Sequence, residues 1–177
     1  MGAIQTRFDQ ATKGGLDEAQ LLNYQLCTDT ETLRVYMNSE FDTHSSRRLL
    51  TTLHLVAESF DYRTVEIQIT SPGGDGIAMH ICLHTLDGMR KDLGIQFHTI
   101  GVSMVCSAAA NLLAYGDLGQ RSAILGSRLV FHTCRLGFQG PITSTVAQGM
   151  WKYLDEADQE VLHRNSSSRS GHLAPNK

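Results

Sequence analysis

Residues 100–116, IGVSMVCSAAANLLAYG, join a β-prone run to a run of small residues through a serine. We expect a helix from Ala108 to Ala114 that Gly116 closes. A serine at a strand-to-helix turn exposes its hydroxyl, while the first N–H groups of the helix point outward without partners. Nucleophilic catalysis uses this arrangement, which makes Ser107 a candidate nucleophile. The alternative is a plain helix cap, because serine is a preferred N-cap residue.

Strand and helix patterns alternate on both sides of this stretch. The β-prone runs cover residues 33–37, 64–70, 96–102, 121–124 and 127–132, and the amphipathic helical patterns cover residues 45–60, 77–90 and 141–163. Short, glycine-bearing connections join several of these segments. The sequence therefore predicts an α/β fold of right-handed βαβ units with a mainly parallel sheet and one long helix near the end.

The 177 residues are enough for one domain with a substantial core. We assign residues 23–164 to this domain, with a flexible extension at residues 1–22 and a disordered, serine-rich tail at residues 165–177. The formal net charge of -3 gives no electrostatic reason to expect nucleic acid or an anionic membrane as a partner.

The sequence also predicts a cytoplasmic protein. It has neither an apolar leader nor an apolar run of membrane-spanning length. Its four cysteines form no C-x-x-C pair, so the pattern favours reduced thiols over a disulfide framework or a zinc ribbon.

Two further features follow predicted strands. The glycine pair of SPGG, residues 71–74, lets the backbone approach a bound group and present an N–H. The alternative is an ordinary turn in which Asp75 caps the next helix. His132 ends a run that we interpret as a buried strand; it is a candidate general base or, alternatively, a hydrogen-bonded core histidine. Catalytic groups of parallel sheets gather where strands end and helices begin.

A histidine pair lies on the helix predicted at residues 77–90. His80 and His84 are one helical turn apart, as two zinc ligands would be. The sequence offers no evident third ligand, and Cys82 would face away from the pair. We therefore predict no metal site and interpret the two histidines as part of a solvated helix face.

From about Arg34 to Leu162 the chain resembles the proteolytic subunits of Clp proteases, the ClpP-like serine peptidases. The matching segments are ITSPGG at 69–74, CSAAANLLAYG at 106–116, GQR at 119–121, SRLVFH at 127–132 and LGFQG at 136–140. Their order and the spacings downstream of Ser107 agree with the family without a gap. Several weak motifs in the correct register are more specific than any one of them.

The resemblance implies roles for four residues. Ser107 would be the nucleophile, and His132 would be the general base that takes its proton. The backbone N–H groups of Gly74 and Ala108 would form the oxyanion hole. The chemistry would need no cofactor.

The resemblance also implies a fold and partners. The fold would be a crotonase-like α/β core whose long helix protrudes and interdigitates between two stacked rings of the same subunit. The substrate would be unfolded polypeptide, fed in by a ring-shaped AAA+ ATPase. Gly73, Leu136, Gly137 and Phe138 would contact this extended substrate, the last three by β-augmentation.

The chain departs from the family pattern around the expected nucleophile and base. The segment VSMVC between Gly101 and Ser107 is longer than the usual family turn. Cys106 is a rival thiol nucleophile, although the downstream spacing selects Ser107. Cys134 stands where the family has proline, and Arg135 and Leu136 replace smaller or apolar residues, which would narrow or recharge the peptide groove.

The aspartate that completes the family's catalytic triad has no counterpart, since no acidic residue follows Glu160. The chain could be a shortened version of a longer active subunit. Another carboxylate, such as Asp155 or Asp158, or one from a partner subunit could orient His132. The protein could also assemble without cutting.

We thus expect a serine endopeptidase subunit that degrades unfolded proteins inside a ring-shaped chamber. The alternative within the family is a weak or inactive structural subunit. Acyl-CoA enzymes of related fold also hold an oxyanion with two backbone N–H groups. They need no nucleophilic serine, so the register of Ser107 and His132 counts against that activity.

Overall fold

The computed structural model describes residues 24–26, 32–59, 63–135 and 141–167. The strands in these ranges are β1 (Tyr24–Leu26), β2 (Thr32–Met37), β3 (Thr64–Ser71), β4 (Gln96–Cys106), β5 (Arg121–Ala123) and β6 (Arg128–Val130). The helices are α1 (Thr43–Ser59), α2 (Gly76–Leu93), α3 (Ala108–Tyr115) and α4 (Ser144–Ser167). None of the helices in this part of the chain is long and apolar enough to cross a membrane.

The strands form one mixed sheet in the order β1-β2-β3-β4-β5, and β6 also pairs with β4. Only β1 is antiparallel to its neighbour; the pairs β2–β3, β3–β4, β4–β5 and β4–β6 within the described ranges are parallel. Helices α1, α2 and α3 each connect two successive parallel strands. The predicted α/β class with a mainly parallel sheet and a long last helix is confirmed.

The core lies between one face of the sheet and the first three helices. Buried and half-buried residues alternate strictly along β3, so that Ile67 and Ile69 are fully covered. Leu53 of α1, Leu86 of α2 and Leu112 of α3 are equally inaccessible to water. Burial of this apolar area is the main stabilising contribution, and it fixes the strand ends on which the site is built.

Two helices start at caps that the periodicity did not reveal. Helix α1 begins two residues before the predicted Ser45, because Asp42 and Ser45 bond reciprocally: the Ser45 N–H donates to Asp42 Oδ1 at 2.6 Å and the Asp42 N–H donates to Ser45 Oγ at 3.0 Å. Helix α4 begins after Thr143, whose Oγ1 accepts from the Val146 N–H at 3.3 Å, and it continues to Ser167. Residues 165–167 of the expected tail are therefore helical.

Strand β4 continues four residues beyond the predicted end and contains a bulge. Ile69 pairs with Gly101, but Ser71 pairs with Val105, so four steps along β4 oppose two along β3. The bulge accommodates the long VSMVC segment and changes the neighbour of β4 from β5 to β6. The strand then delivers Ser107 to the edge of the sheet.

Strand β6 is exposed, so the interpretation of residues 127–132 as a buried strand is wrong for the isolated chain. Leu129, Val130 and Phe131 are 43%, 47% and 56% exposed. The reason is that β6 pairs only with the part of β4 beyond the bulge, where no described helix covers it. Ile77 and Ile81, part of the apolar pattern of α2, are also exposed.

Arg90 near the end of α2 ties this helix to α3 and β4. Its guanidinium donates to Tyr115 Oη at 2.7 Å, lies 2.8 Å from Asp117 Oδ1, and stacks over the Tyr115 ring with 4.4 Å to the centroid. Asp117 in turn accepts from the Phe97 N–H at 2.7 Å. Burial raises the pKa of the Tyr115 hydroxyl, which therefore stays protonated and donates to Asp87.

We expect Arg90→Ala to lower the free energy of unfolding by about 2 kcal/mol, because it removes charge-assisted hydrogen bonds and a cation–π contact together. Urea denaturation followed by circular dichroism measures this change. Lys91→Ala, which removes the neighbouring exposed cation, is the control and should change stability by less than about 0.5 kcal/mol. Equal effects of the two substitutions would contradict the assigned role of Arg90.

Candidate active site

Ser107 forms the turn between β4 and α3 with a φ of 55°, and it is the only non-glycine residue in the described ranges with a positive φ. This conformation is strained, and the Ser107 N–H donates to the Val130 carbonyl at 2.8 Å, which fixes the turn to β6. The side chain occupies the N-cap position of α3 but makes no capping hydrogen bond. Ser107 thus stands at the cap position predicted by the alternative, but its hydroxyl does not serve as the cap and is available for other chemistry.

The backbone around Ser107 presents an unused donor. Ala108 is the first residue of α3, so its N–H has no acceptor within the helix. The Ser107 carbonyl points the other way and accepts from the Ala110 and Asn111 N–H groups at 2.9 and 3.2 Å. The start of the helix thus offers an outward N–H beside the serine hydroxyl.

The glycine pair lies directly against this turn. Gly73 and Gly74 have φ values of 96° and 144°. A Cβ on Gly73 would lie 2.6 Å from Ser107 Cβ, and a Cβ on Gly74 would collide with the backbone of Phe41. Only glycine permits these two approaches.

Hydrogen bonds hold the glycine segment on both sides of Gly74. The Phe41 N–H donates to the Gly73 carbonyl and the Asp75 N–H donates to the Phe41 carbonyl, both at 2.7 Å. Neither bond involves the Gly74 N–H, which has no hydrogen-bond acceptor among the described residues. Asp75 caps α2 as the alternative interpretation expected, since its Oδ1 accepts from the Ala78 N–H at 2.9 Å. Capping of α2 by Asp75 is therefore compatible with the expected presentation of the Gly74 N–H to a bound group.

The structure brings Gly74, Ser107, Ala108 and His132 together around one cavity of about 310 Å³. Helix α4 supplies the facing wall, with the residues Tyr153, Leu154 and Ala157. Gly73 packs beneath Ser107. The predicted substrate-contacting residues Leu136, Gly137 and Phe138 lie outside the described residues.

His132 lies on the exposed side of the cavity, two residues after β6. Its Nδ1 is 2.6 Å from the Thr133 carbonyl oxygen. A proton on Nδ1 would be donated to this oxygen and would leave Nε2 as the basic nitrogen. Within the described part of the chain, no hydrogen bond joins His132 to Ser107 or to a carboxylate.

Asp158 of α4 holds the segment that follows His132. Its Oδ1 accepts from the Cys134 N–H at 2.8 Å. Burial, followed by the hydrogen bond and negative charge of Asp158, raises the pKa of the Cys134 thiol to about 11. Asp158 thus contacts the backbone near His132 rather than its ring, while Asp155 is exposed on the helix.

Sequence reasoning named Asp155 and Asp158 as possible carboxylates but missed the cavity wall that α4 forms. Tyr153, Leu154 and Ala157 lie more than twenty residues after His132, and their pattern indicates only an amphipathic helix. No local signal specifies which face of such a helix closes a cavity. The face of α4 that closes the cavity is set by long-range contacts, such as the hydrogen bond from the Cys134 N–H to Asp158.

A family model described as Clp protease matches residues 21–168 of the chain. The chain is 31% identical over 109 residues to an ATP-dependent Clp protease proteolytic subunit 2 from Bacillus licheniformis, an alignment that covers 62% of this chain and 55% of the relative. It is 30% identical over 128 residues to a subunit 2 from Mycobacterium bovis, covering 72% of this chain and 54% of the relative. The chain therefore spans about half the length of the curated relatives it matches.

We expect Gly74→Ala to lower the free energy of unfolding by about 2 kcal/mol or more, because a Cβ at positive φ would also collide with the Phe41 backbone. Gly88→Ala is the matched control, since Gly88 lies within α2 and an added Cβ meets open space. It should raise stability by about 0.5 kcal/mol or more. Urea denaturation of both variants provides the test. The prediction would be refuted if Gly88→Ala destabilised the protein while Gly74→Ala did not.

We expect Asp158→Ala to accelerate alkylation of Cys134 severalfold at mildly alkaline pH. The substitution removes a carboxylate that raises the pKa of the thiol, so a larger thiolate fraction is present at a given pH. Peptide mapping by mass spectrometry after timed iodoacetamide treatment measures the rate at Cys134. Asp155→Ala on the same helix should leave the rate unchanged, and equal rates in the two variants would argue against the contact.

Proposed function

Because the chain belongs to the Clp protease family, we propose that it is a serine endopeptidase subunit that cleaves unfolded polypeptide. Ser107 is the nucleophile and His132 is the general base. The proposal rests mainly on one observation: a strained serine whose side chain does not cap its helix lines one cavity with His132, Gly74 and Ala108. A helix cap alone requires neither the strain nor the cavity.

The proposed reaction begins when Ser107 Oγ attacks the carbonyl carbon of the scissile peptide bond. His132 Nε2 takes the hydroxyl proton, and the Gly74 and Ala108 N–H groups donate to the oxyanion, with about 3 kcal/mol of transition-state stabilisation per donor. His132 then gives the proton to the leaving amine as the C–N bond breaks. Water, activated by the same histidine, hydrolyses the acyl-enzyme.

The extended substrate is proposed to lie along the segment that follows His132. Leu136, Gly137 and Phe138 would add their backbone to it as a neighbouring strand, with Gly73 lying against the serine turn. Exposed strand β6 leads directly into this segment. Substrate binding at this edge would bring the scissile bond next to Ser107.

A structural subunit with weak or no activity is the second candidate, and the orientation of His132 favours it. The ring is held by the Thr133 carbonyl, and none of the described carboxylates bonds to it. Loss of the orienting carboxylate costs about four orders of magnitude in turnover in other serine hydrolases. Proton transfer would require His132 and Ser107 to come within hydrogen-bond distance, and no such bond joins them in the described part of the chain.

We propose that the protein acts as an assembly of identical subunits with residues 23–164 as the peptidase domain. Large apolar side chains are exposed on β6, just after it and on α4, among them Leu129, Phe131 and the 74% exposed Trp151. Patches of this kind are typical of surfaces that a second protein copy covers. The relatives are named as proteolytic subunits of ATP-dependent proteases, which supports the proposal that an ATPase supplies the substrate to this chain.

We expect Ser107→Ala to abolish hydrolysis of a fluorogenic peptide, because no other described group combines the hydroxyl with both oxyanion donors. The assay is performed on protein whose assembly state is established by light scattering. A fluorophosphonate probe should label the unsubstituted chain at Ser107, which peptide mapping identifies.

Ser103→Ala and Cys106→Ala are the matched controls, since Ser103 is exposed on the same strand and Cys106 is the rival nucleophile. Both variants should retain hydrolysis. Assembled protein with no hydrolysis and no labelling at Ser107 would exclude the active enzyme and leave the structural subunit. Loss of hydrolysis only in Cys106→Ala would assign the reaction to the thiol.

A further inference from the structure

Three potential metal ligands from two helices meet beside the candidate active site. His80 and His84 lie one turn apart on α2, and Glu160 of α4 faces both of them. Glu160 Oε2 is 3.6 Å from His80 Nδ1, and Glu160 Oε1 is 3.2 Å from His84 Nε2. The ligand atoms of all three residues lie within 4.8 Å of one another. Glu160 is the third ligand that the sequence pattern did not reveal.

These separations are close to those of a ligand set around one small cation. Zinc bonds to histidine nitrogen and carboxylate oxygen are near 2.0 to 2.2 Å, so ligand atoms around a tetrahedral ion lie about 3.3 Å apart. The two nitrogen–oxygen separations, which run to different oxygens of Glu160, bracket that value. No two of the three ligand atoms are more than 4.8 Å apart, so side-chain rotations that bring the ligand atoms closer together would place them at bonding distance.

The exposure of the three side chains also suits a metal site with one open side. His80 is 15% exposed, whereas Glu160 and His84 are 40% and 61% exposed. The half-buried His80 imidazole provides the more fixed ligand, and the more exposed His84 and Glu160 leave a path for an ion and a place for water. The interpretation of the two histidines as a solvated helix face is therefore wrong for His80.

We propose that His80, His84 and Glu160 bind a late first-row divalent cation, for which Zn²⁺ is the appropriate probe. Imidazole nitrogen favours zinc and its neighbours over the hard cations Mg²⁺ and Ca²⁺, and two histidines with one carboxylate form a frequent zinc ligand set. His80 ligates through Nδ1 and His84 through Nε2. This site is separate from the proposed peptidase reaction and does not depend on it.

Occupancy of this site would fasten α4 to α2 at the cavity wall. His80 itself lines the cavity that contains Ser107 and His132, and Leu154 and Ala157 of α4 line its other side. A cation shared by the two helices would add bonds between elements that otherwise meet through few buried side chains. The metal would thus set the position of the wall facing the serine.

The test is isothermal titration of Zn²⁺ into the full chain, prepared without a histidine tag and freed of metal by a chelator. We expect one high-affinity ion per chain and no comparable binding of Mg²⁺. His84→Ala and Glu160→Gln should each weaken Zn²⁺ binding by at least about 100-fold, since loss of a supporting residue alone costs 10-fold to 100-fold. His54→Ala on α1 removes an exposed histidine elsewhere and should leave the affinity unchanged.

Co²⁺ provides a measurement that needs no variant. In the unsubstituted chain, its paramagnetism should shift the ring-proton resonances of His80 and His84 far more than those of His98, which lies on β4 between the core-facing residues Phe97 and Thr99. Three results would overturn the proposal: no Zn²⁺ binding by the unsubstituted chain, unchanged affinity in both variants with native circular dichroism, or an intense thiolate-to-cobalt absorption band, which would place the ion on cysteine.

Discussion

Contact between the glycine segment after β3 and the serine turn after β4 is the constraint on which the site depends. Gly73 lies so close to Ser107 that any side chain would occupy the same space, and Gly74 is equally close to Phe41. Two backbone hydrogen bonds from and to Phe41 fix the segment in place. The segments around Phe41, Gly73 and Ser107 are thereby held so close together that only backbone atoms fit between them. The strained Ser107 conformation lies at the centre of this packing, beside a Gly74 N–H that has no acceptor among the described residues.

The amino-acid sequence was sufficient to predict those parts of the fold whose signals are local. Strict alternation in residues 64–70 identifies β3, and the same alternation appears in its burial. The glycine pair and the serine followed by small residues identify the strand ends, because positive φ and helix starts demand particular residue types. The order of these motifs also identified the protease family that the comparisons confirm. Roles for Ser107 and His132 remain predictions.

Features that depend on contacts between distant segments could not be predicted in this way. The bulge in β4 has no residue signature in VSMVC, and only the pairing of Ser71 with Val105 reveals it. An apolar run such as residues 129–131 has the same pattern whether its own chain or another copy covers it. Glu160 is one acidic residue among several on α4, and its position opposite His80 follows from helix packing alone.

The two sides of the cavity differ in how they are held. Ser107 and Gly74 follow the ends of core strands, whereas Ala157 is the only buried residue among the described side chains of α4. That helix is secured mainly by polar contacts, from Asp158 to the Cys134 amide and from Glu160 to the two histidines. Its local opening therefore costs far less free energy than unfolding of the sheet. The serine side of the cavity is a preorganised surface, and we expect the opposite side to exchange its amide protons through local opening while the core stays protected.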